Sequence, residues 1–167
     1  MDEAERIRIA ECNLSRLLDW IGRVDAKSSV VLGVNTAMLG VLAGVAPAPH
    51  LWTLYTVIAA LLGAVCPIIS LCFVYVVNYP QTKGSSTSLN FFGGISKRTF
   101  REYETAFISG SAADHLRDVL EQCHRNAEIV NRKFSALKWA YRWLLVGIIP
   151  WMVCLYYFRS VADVRAA

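Results

Sequence analysis

The chain has 167 residues, 55% of them apolar and 18% charged, a net formal charge of +4 and a mean hydropathy of +0.39. One domain fits that length, but a soluble one does not fit the pattern: from Lys27 to Lys83 no Asp, Glu, Lys or Arg intervenes, and His50 is the one side chain there that titrates near neutrality. The basic residues alternate with acids instead of clustering, which argues against binding a nucleic-acid polymer.

In chain order, residues 1–27 are polar and helical in pattern. Ile7, Ala10, Leu14, Leu17, Ile21 and Val24 recur in steps of three and four, a heptad seam. The seam continues without a break through Ser28, Val31, Asn35, Met38 and Leu42 into a first apolar span, 28–45, which Pro47 and Pro49 close. A second span, 51–79, ends at Pro80, and a third covers 139–158. A helix crossing a bilayer needs about 20 apolar residues. The strand-like run Cys72 to Val77 is read as helix, because a lone strand in lipid leaves its backbone unsatisfied. A signal peptide in place of the first span is rejected, since its charged leader would be 27 residues and the Ala-Pro-Ala site is followed by proline.

Between spans two and three, residues 80–110 read as a loop and short helix, and 111–138 as a helix continuous with span three. Ser111 and Asp114 supply its N-cap. Its seam is read as Leu116, Leu120, Cys123, Ala127, Val130, Phe134, Leu137, Tyr141, Leu144, Ile148, Trp151 and Leu155. The polar stretches 4–27 and 112–138 would each run about 35–40 Å at 1.5 Å per residue. The expected fold is therefore an all-α membrane protein with three transmembrane helices, the first and third extended into a cytoplasmic helical bundle. Arg23 and Lys27 before span one, Lys83 after span two, and Lys133, Lys138 and Arg142 before span three place the N-terminus and 80–138 inside. The turn at 46–50 and the tail 159–167, with Arg159 and Arg165, lie outside. Trp52, Tyr55, Tyr75, Tyr79, Trp139, Tyr141, Trp143, Tyr156 and Tyr157 mark the interfaces.

Within the spans, the small-residue spacing of Gly40 and Gly44, and of Ala59, Ala60, Gly63 and Ala64, suits helix contacts within or between subunits. Pro67 and Pro150 are expected kinks and candidate gating hinges. Asn35, a strongly polar group near the middle of span one, is expected to bond to a neighbouring helix and to line a pore or set register. Most of both seams would serve the monomer's own core, with self-association as an addition.

Chemistry is sparse. No nucleophile elbow, phosphate-binding loop, zinc-protease or EF-hand motif occurs, and the chain has three His. No catalytic residue and no metal are expected. Cys123 and His124 point about 100° apart on a helix, poor geometry for a zinc site with His115. The five cysteines read as reduced packing residues. Asp19 with Arg23 and Glu128 with Arg132 read as helix-face pairs four apart. The informative segment is Asn90 to Lys97 (NFFGGISK). Two aromatics beside two glycines either dock on the bundle or, with glycine amides, Lys97 and Arg98, form a pocket for an anionic ring compound. Arg23, Lys27, Arg132 and Lys133 would lie at similar depth near the membrane and contribute phosphate contacts.

Trp20 to Ser29 (WIGRVDAKSS), Phe91 to Ile95 (FFGGI) and Ala127 to Phe134 (AEIVNRKF) occur in this order, and together they resemble the transmembrane effectors of bacterial Pycsar anti-phage systems. The resemblance covers nearly the whole chain, with Ala26 where members often have Thr and Gly94 where they often have His. It implies a non-enzymatic inner-membrane defence effector, homo-oligomeric, that answers cyclic UMP or cyclic CMP by disrupting the membrane. The ligand would contact Trp20, Arg23, Lys27, Asn90, Phe91, Phe92, Lys97 and Lys133. From another class, a membrane-anchored scaffold or adaptor, or a small constitutive channel subunit, would share the same spans.

Overall fold

The computed structural model describes residues 1–80 and 87–164, with side chains to Ala162; Lys83, Arg165 and the linker positions 81–86 lie outside the described residues. Five α-helices follow in order: α1 Glu3–Gly44, α2 Leu54–Asn78, α3 Phe92–Ile95, α4 Phe100–Ser109 and α5 Ala112–Val164, with a 3-10 turn at Pro49–Leu51 before α2. No strand occurs among the described residues. Three of these helices, α1, α2 and α5, are long and apolar enough to cross a membrane. The protein is an all-α membrane protein.

The chain divides into two compact units. The spanning unit comprises 25–78 and 134–167, and the polar unit 1–24 and 79–133. Helices α1 and α5 each contribute residues to both.

In α1 the expected seam is the packed face throughout. Val24, Ser28, Val31, Asn35, Met38 and Leu42 are all buried, and Ile7, Leu14, Leu17 and Ile21 are half-buried. In α5 five of the twelve expected positions, Leu120, Ala127, Phe134, Tyr141 and Ile148, are exposed. Val130, Leu137 and Leu144 are buried as expected, and in the span Ala140 and Gly147 take the inner positions in place of Tyr141 and Ile148, joined by Cys154. The reason is the solvent. Lipid rewards large apolar side chains on the outside as well as any core would, so the inner face goes to residues small enough for close backbone approach.

Two glycines of the spanning unit show this directly. A methyl group added at Gly147 would lie 2.7 Å from the Cys66 Cβ, and one at Gly63 2.8 Å from the Cys154 Cβ, so α2 and α5 touch through reciprocal glycine–cysteine contacts. Pro67 sits buried at the same crossing, its Cδ 3.4 Å from that methyl position on Gly147. Both α2 and α5 continue as helix through their prolines, Pro67 and Pro150. Beyond the crossing, Ala59, Ala60 and Ala64 pack against Leu42, Cys154 and Phe158. The Gly40 and Gly44 pair, by contrast, has nothing within 4 Å.

Polar groups in the spanning unit are paired across helices. Ser28 Oγ donates to Asn78 Oδ1 at 3.1 Å, Asn35 Nδ2 to Ser70 Oγ at 2.9 Å, Ser70 Oγ to the Ala140 carbonyl at 2.8 Å, and Trp151 Nε1 to the Met38 carbonyl at 2.9 Å. At one interface Phe73 stacks on Trp139, whose other partner is the Arg142 guanidinium, 4.7 Å from the ring centre.

Candidate ligand site in the polar unit

Two capping boxes define the local frame. Thr99 Oγ1 accepts from the Glu102 amide while Glu102 accepts from the Thr99 amide, starting α4. Ser111 and Asp114 repeat the exchange at the start of α5, as the sequence suggests. In both, hydrogen bonds to the carboxylate hold it below the usual carboxylate range.

The segment 87–98 is fixed against α5 rather than free. Asp118 Oδ2 accepts from the Leu89 amide at 2.9 Å, the Asn90 amide at 3.1 Å and Asn90 Nδ2 at 3.0 Å. The buried Ser88 hydroxyl accepts from the Asn90 and Phe91 amides and from buried Gln122 Nε2. From the other side, Arg98 donates to the carbonyls of Thr87, Ser88 and Gly94. The loop is thus pre-organised by three side chains, of which the sequence points out only Arg98, and that as a ligand contact.

Beside this loop, Thr87, Ser88, Leu89, Phe107, Gly110, Ser111, Asp114, His115, Arg117, Asp118 and Glu121 enclose a cavity of about 410 Å³. That is within the usual range for small-molecule sites. Its polar wall comes from one face of α5, where Asp114, Arg117, Asp118 and Glu121 follow at three- and four-residue spacing. Arg117 gives it a guanidinium, His115 an imidazole and Phe107 an aromatic wall. Three loop donors hydrogen-bond Asp118 and Ser111 hydrogen-bonds Asp114; with Glu121 they set three carboxylates beside the one guanidinium of Arg117.

Of the residues expected to bind a ligand, Trp20, Arg23, Asn90, Phe91, Phe92, Lys97 and Lys133 fall in the polar unit, and Lys27 in the spanning unit. None of them lines the cavity. Asn90 adjoins it through Asp118. Phe91 and Phe92 pack on each other with ring centres 4.6 Å apart, and the Phe91 ring lies so close to Gly93 that a methyl there would be 2.5 Å away. Phe92 remains 64% exposed. The glycine amides expected to cradle an anion are partly spent, since the Gly94 N–H donates to the Phe91 carbonyl. Glu128 pairs with Arg125 at 3.2 Å, not with Arg132, because the guanidinium three residues back reaches it. Cys123 Sγ, its thiol pushed up by burial, meets the Ala10 carbonyl, and His115 meets Glu11 at 3.2 Å. Both contacts tie α1 to α5. The cavity residues escape a reading of the sequence because a row of charges on a helix is ordinarily a solvated face. The usable hint is that Asp114 and Asp118 share a face of α5.

The sequence matches the model of the Pycsar effector protein domain, PycTM, over residues 9–159. The chain belongs to the Pycsar effector family. It is 32% identical over 157 residues to the Pycsar effector protein PtPycTM of Propioniciclava tarda, covering 86% of this chain and 73% of the relative. To GmPycTM of Gulbenkiania mobilis, also a Pycsar effector protein, it is 24% identical over 182 residues, 92% of this chain and 93% of the relative. No solved structure matches this Pycsar effector.

Proposed function

We propose that this chain is an inner-membrane anti-phage effector, activated by a cyclic pyrimidine mononucleotide, cyclic UMP or cyclic CMP, to break the membrane's integrity. The observation that carries the reading is the pairing, in a Pycsar family chain, of a polar unit holding a 410 Å³ cavity with a spanning unit of three helices. Helices α1 and α5 are each continuous from one unit into the other. A ligand that moves α5 at the cavity, where the lining residue His115 meets Glu11 of α1, would bias the same helices in the spans. In the cavity, Arg117 and His115 would meet the phosphate and Phe107 the base, with Asn90 adjoining through Asp118; Trp20, Arg23, Lys27, Phe92, Lys97 and Lys133 form a separate basic and aromatic set outside it. The distribution of Lys and Arg supports a cytoplasmic polar unit and N-terminus.

Assembly into a homo-oligomer is supported by the outer face of α1. Gly22, Gly33, Gly40 and Gly44 are all exposed with nothing within 4 Å. Glycine inside a helix costs roughly 0.5–1 kcal/mol relative to Ala. Gly63 and Gly147 recover that cost in close contacts within the chain, and those of α1 do not.

Proteoliposomes loaded with a self-quenched dye test the activity. Release with cyclic UMP or cyclic CMP, and none with cyclic AMP or cyclic GMP, is the expected result. A scaffold reading has one observation in its favour, the exposed apolar face of α4, with Phe100 and Ile108 more than three-quarters exposed. Intact vesicles and no nucleotide binding would put it ahead.

A further inference from the structure

Asn35 is wholly buried at the point where α1, α2 and α5 share a chain of hydrogen bonds. Its Nδ2 donates to the Val31 carbonyl at 2.8 Å and to Ser70 Oγ at 2.9 Å, and Ser70 Oγ donates onward to the Ala140 carbonyl at 2.8 Å. The Ser70 hydroxyl has one proton, and that proton is committed to Ala140. Asn35 Oδ1 is consequently met by no donor among the described residues, and it is the one buried side-chain polar atom among them in that position.

We propose that the Asn35–Ser70–Ala140 node is the release point of the spanning unit: a hydrogen-bond network one donor short while the helices are packed, and completed by water when α1 parts from α2. A buried acceptor without a donor costs free energy that an apolar side chain of similar shape does not. The packed state is therefore held below its attainable stability at the depth where three helices meet. A ligand acting on α1 and α5 then needs a smaller difference in affinity between the two states to open them. This rests on the membrane-disrupting reading above, but its energetic half does not depend on it.

The test uses the full chain in detergent and in dye-loaded vesicles. Asn35→Leu should raise the detergent melting temperature, by about 2–4 °C on the scale usual for a chain of this size, and should need about tenfold more cyclic UMP or cyclic CMP for half-maximal dye release. Asn35→Val, which cannot overpack, should shift both in the same direction. Ser70→Ala should do the opposite, because Asn35 Nδ2 then keeps only the Val31 carbonyl and the Ala140 contact is lost. A node that merely glues helices together predicts a lower melting temperature for all three variants, and that result overturns the proposal, as does dye release unmoved by Asn35→Leu in a vesicle system where the wild type responds. If the wild type releases no dye with either nucleotide, the functional reading fails, and the melting temperatures decide the node alone.

Discussion

The two units hold themselves together by different means. In the spanning unit the closest contacts are made by Gly63, Gly147, Cys66 and Cys154, while large residues such as Leu61, Leu145, Ile149 and Tyr156 lie outside. In the polar unit the order comes from hydrogen bonds that anchor a loop, with Asp118, Ser88 and Arg98 each serving several backbone groups. The difference follows from the surroundings. Lipid supplies no hydrophobic drive between helices, so proximity and paired polar groups must do the work. Water does supply that drive, but it also competes for every loop amide, so side chains must satisfy them in advance.

The sharpest way to break this comparison is to place bulk at the tight crossing. Gly147→Leu should cost at least about 1–3 kcal/mol as overpacking forces α2 and α5 apart. Gly40→Leu, on an open face, should leave the monomer's stability in detergent within about 0.5 kcal/mol of the wild type. Equal losses in the two variants would contradict the crossing described here.

Next in size is the loop anchor. Asp118→Ala removes the acceptor for three donors and should accelerate amide exchange at Leu89 and Asn90 by roughly tenfold or more, corresponding to about 1–3 kcal/mol, with no change in the spanning helices. Unaltered exchange at these two amides would show that the loop is held elsewhere.

Ligand affinity separates the cavity from the residues around it. Arg117→Ala should weaken cyclic UMP or cyclic CMP binding about tenfold by calorimetry, as expected for a lost charge-assisted hydrogen bond. Lys27→Ala and Phe92→Ala should weaken it less. If Lys27→Ala has the larger effect, the site lies among the basic residues nearer the membrane and not in the cavity.

The smallest effect expected is acid sensitivity of the caps. Glu102 and Asp114 sit below their ordinary values because Thr99 and Ser111 hydrogen-bond the charged form. A depressed carboxylate contributes stability that is full above its unfolded value and is lost as pH falls through the folded one. The first turns of α4 and α5 should therefore fray only below about pH 4, the unperturbed carboxylate range. Amide exchange or chemical shifts at Glu102 and Asp114 through an acid titration would show it. Fraying already near neutral pH would mean that the boxes do not cap.

Much of the architecture can be read from residues alone. The uncharged run between Lys27 and Lys83 leaves lipid as the only solvent in which those residues make sense, and the α1 seam, from Ile7 to Leu42, includes every fully buried position of that helix. The cap at Ser111 and Asp114 is equally legible, because capping is local chemistry. What periodicity could not supply is which side of an apolar helix faces inward when both sides are apolar. In α5 that choice fell to Ala140 and Gly147 over Tyr141 and Ile148. Only the facing helix, with Cys66 and Gly63 in reach, decides it. The cavity wall and the anchoring of Leu89 and Asn90 by Asp118 likewise join residues 28 and 29 positions apart, where sequence spacing carries no information and only the folded chain brings donor to acceptor.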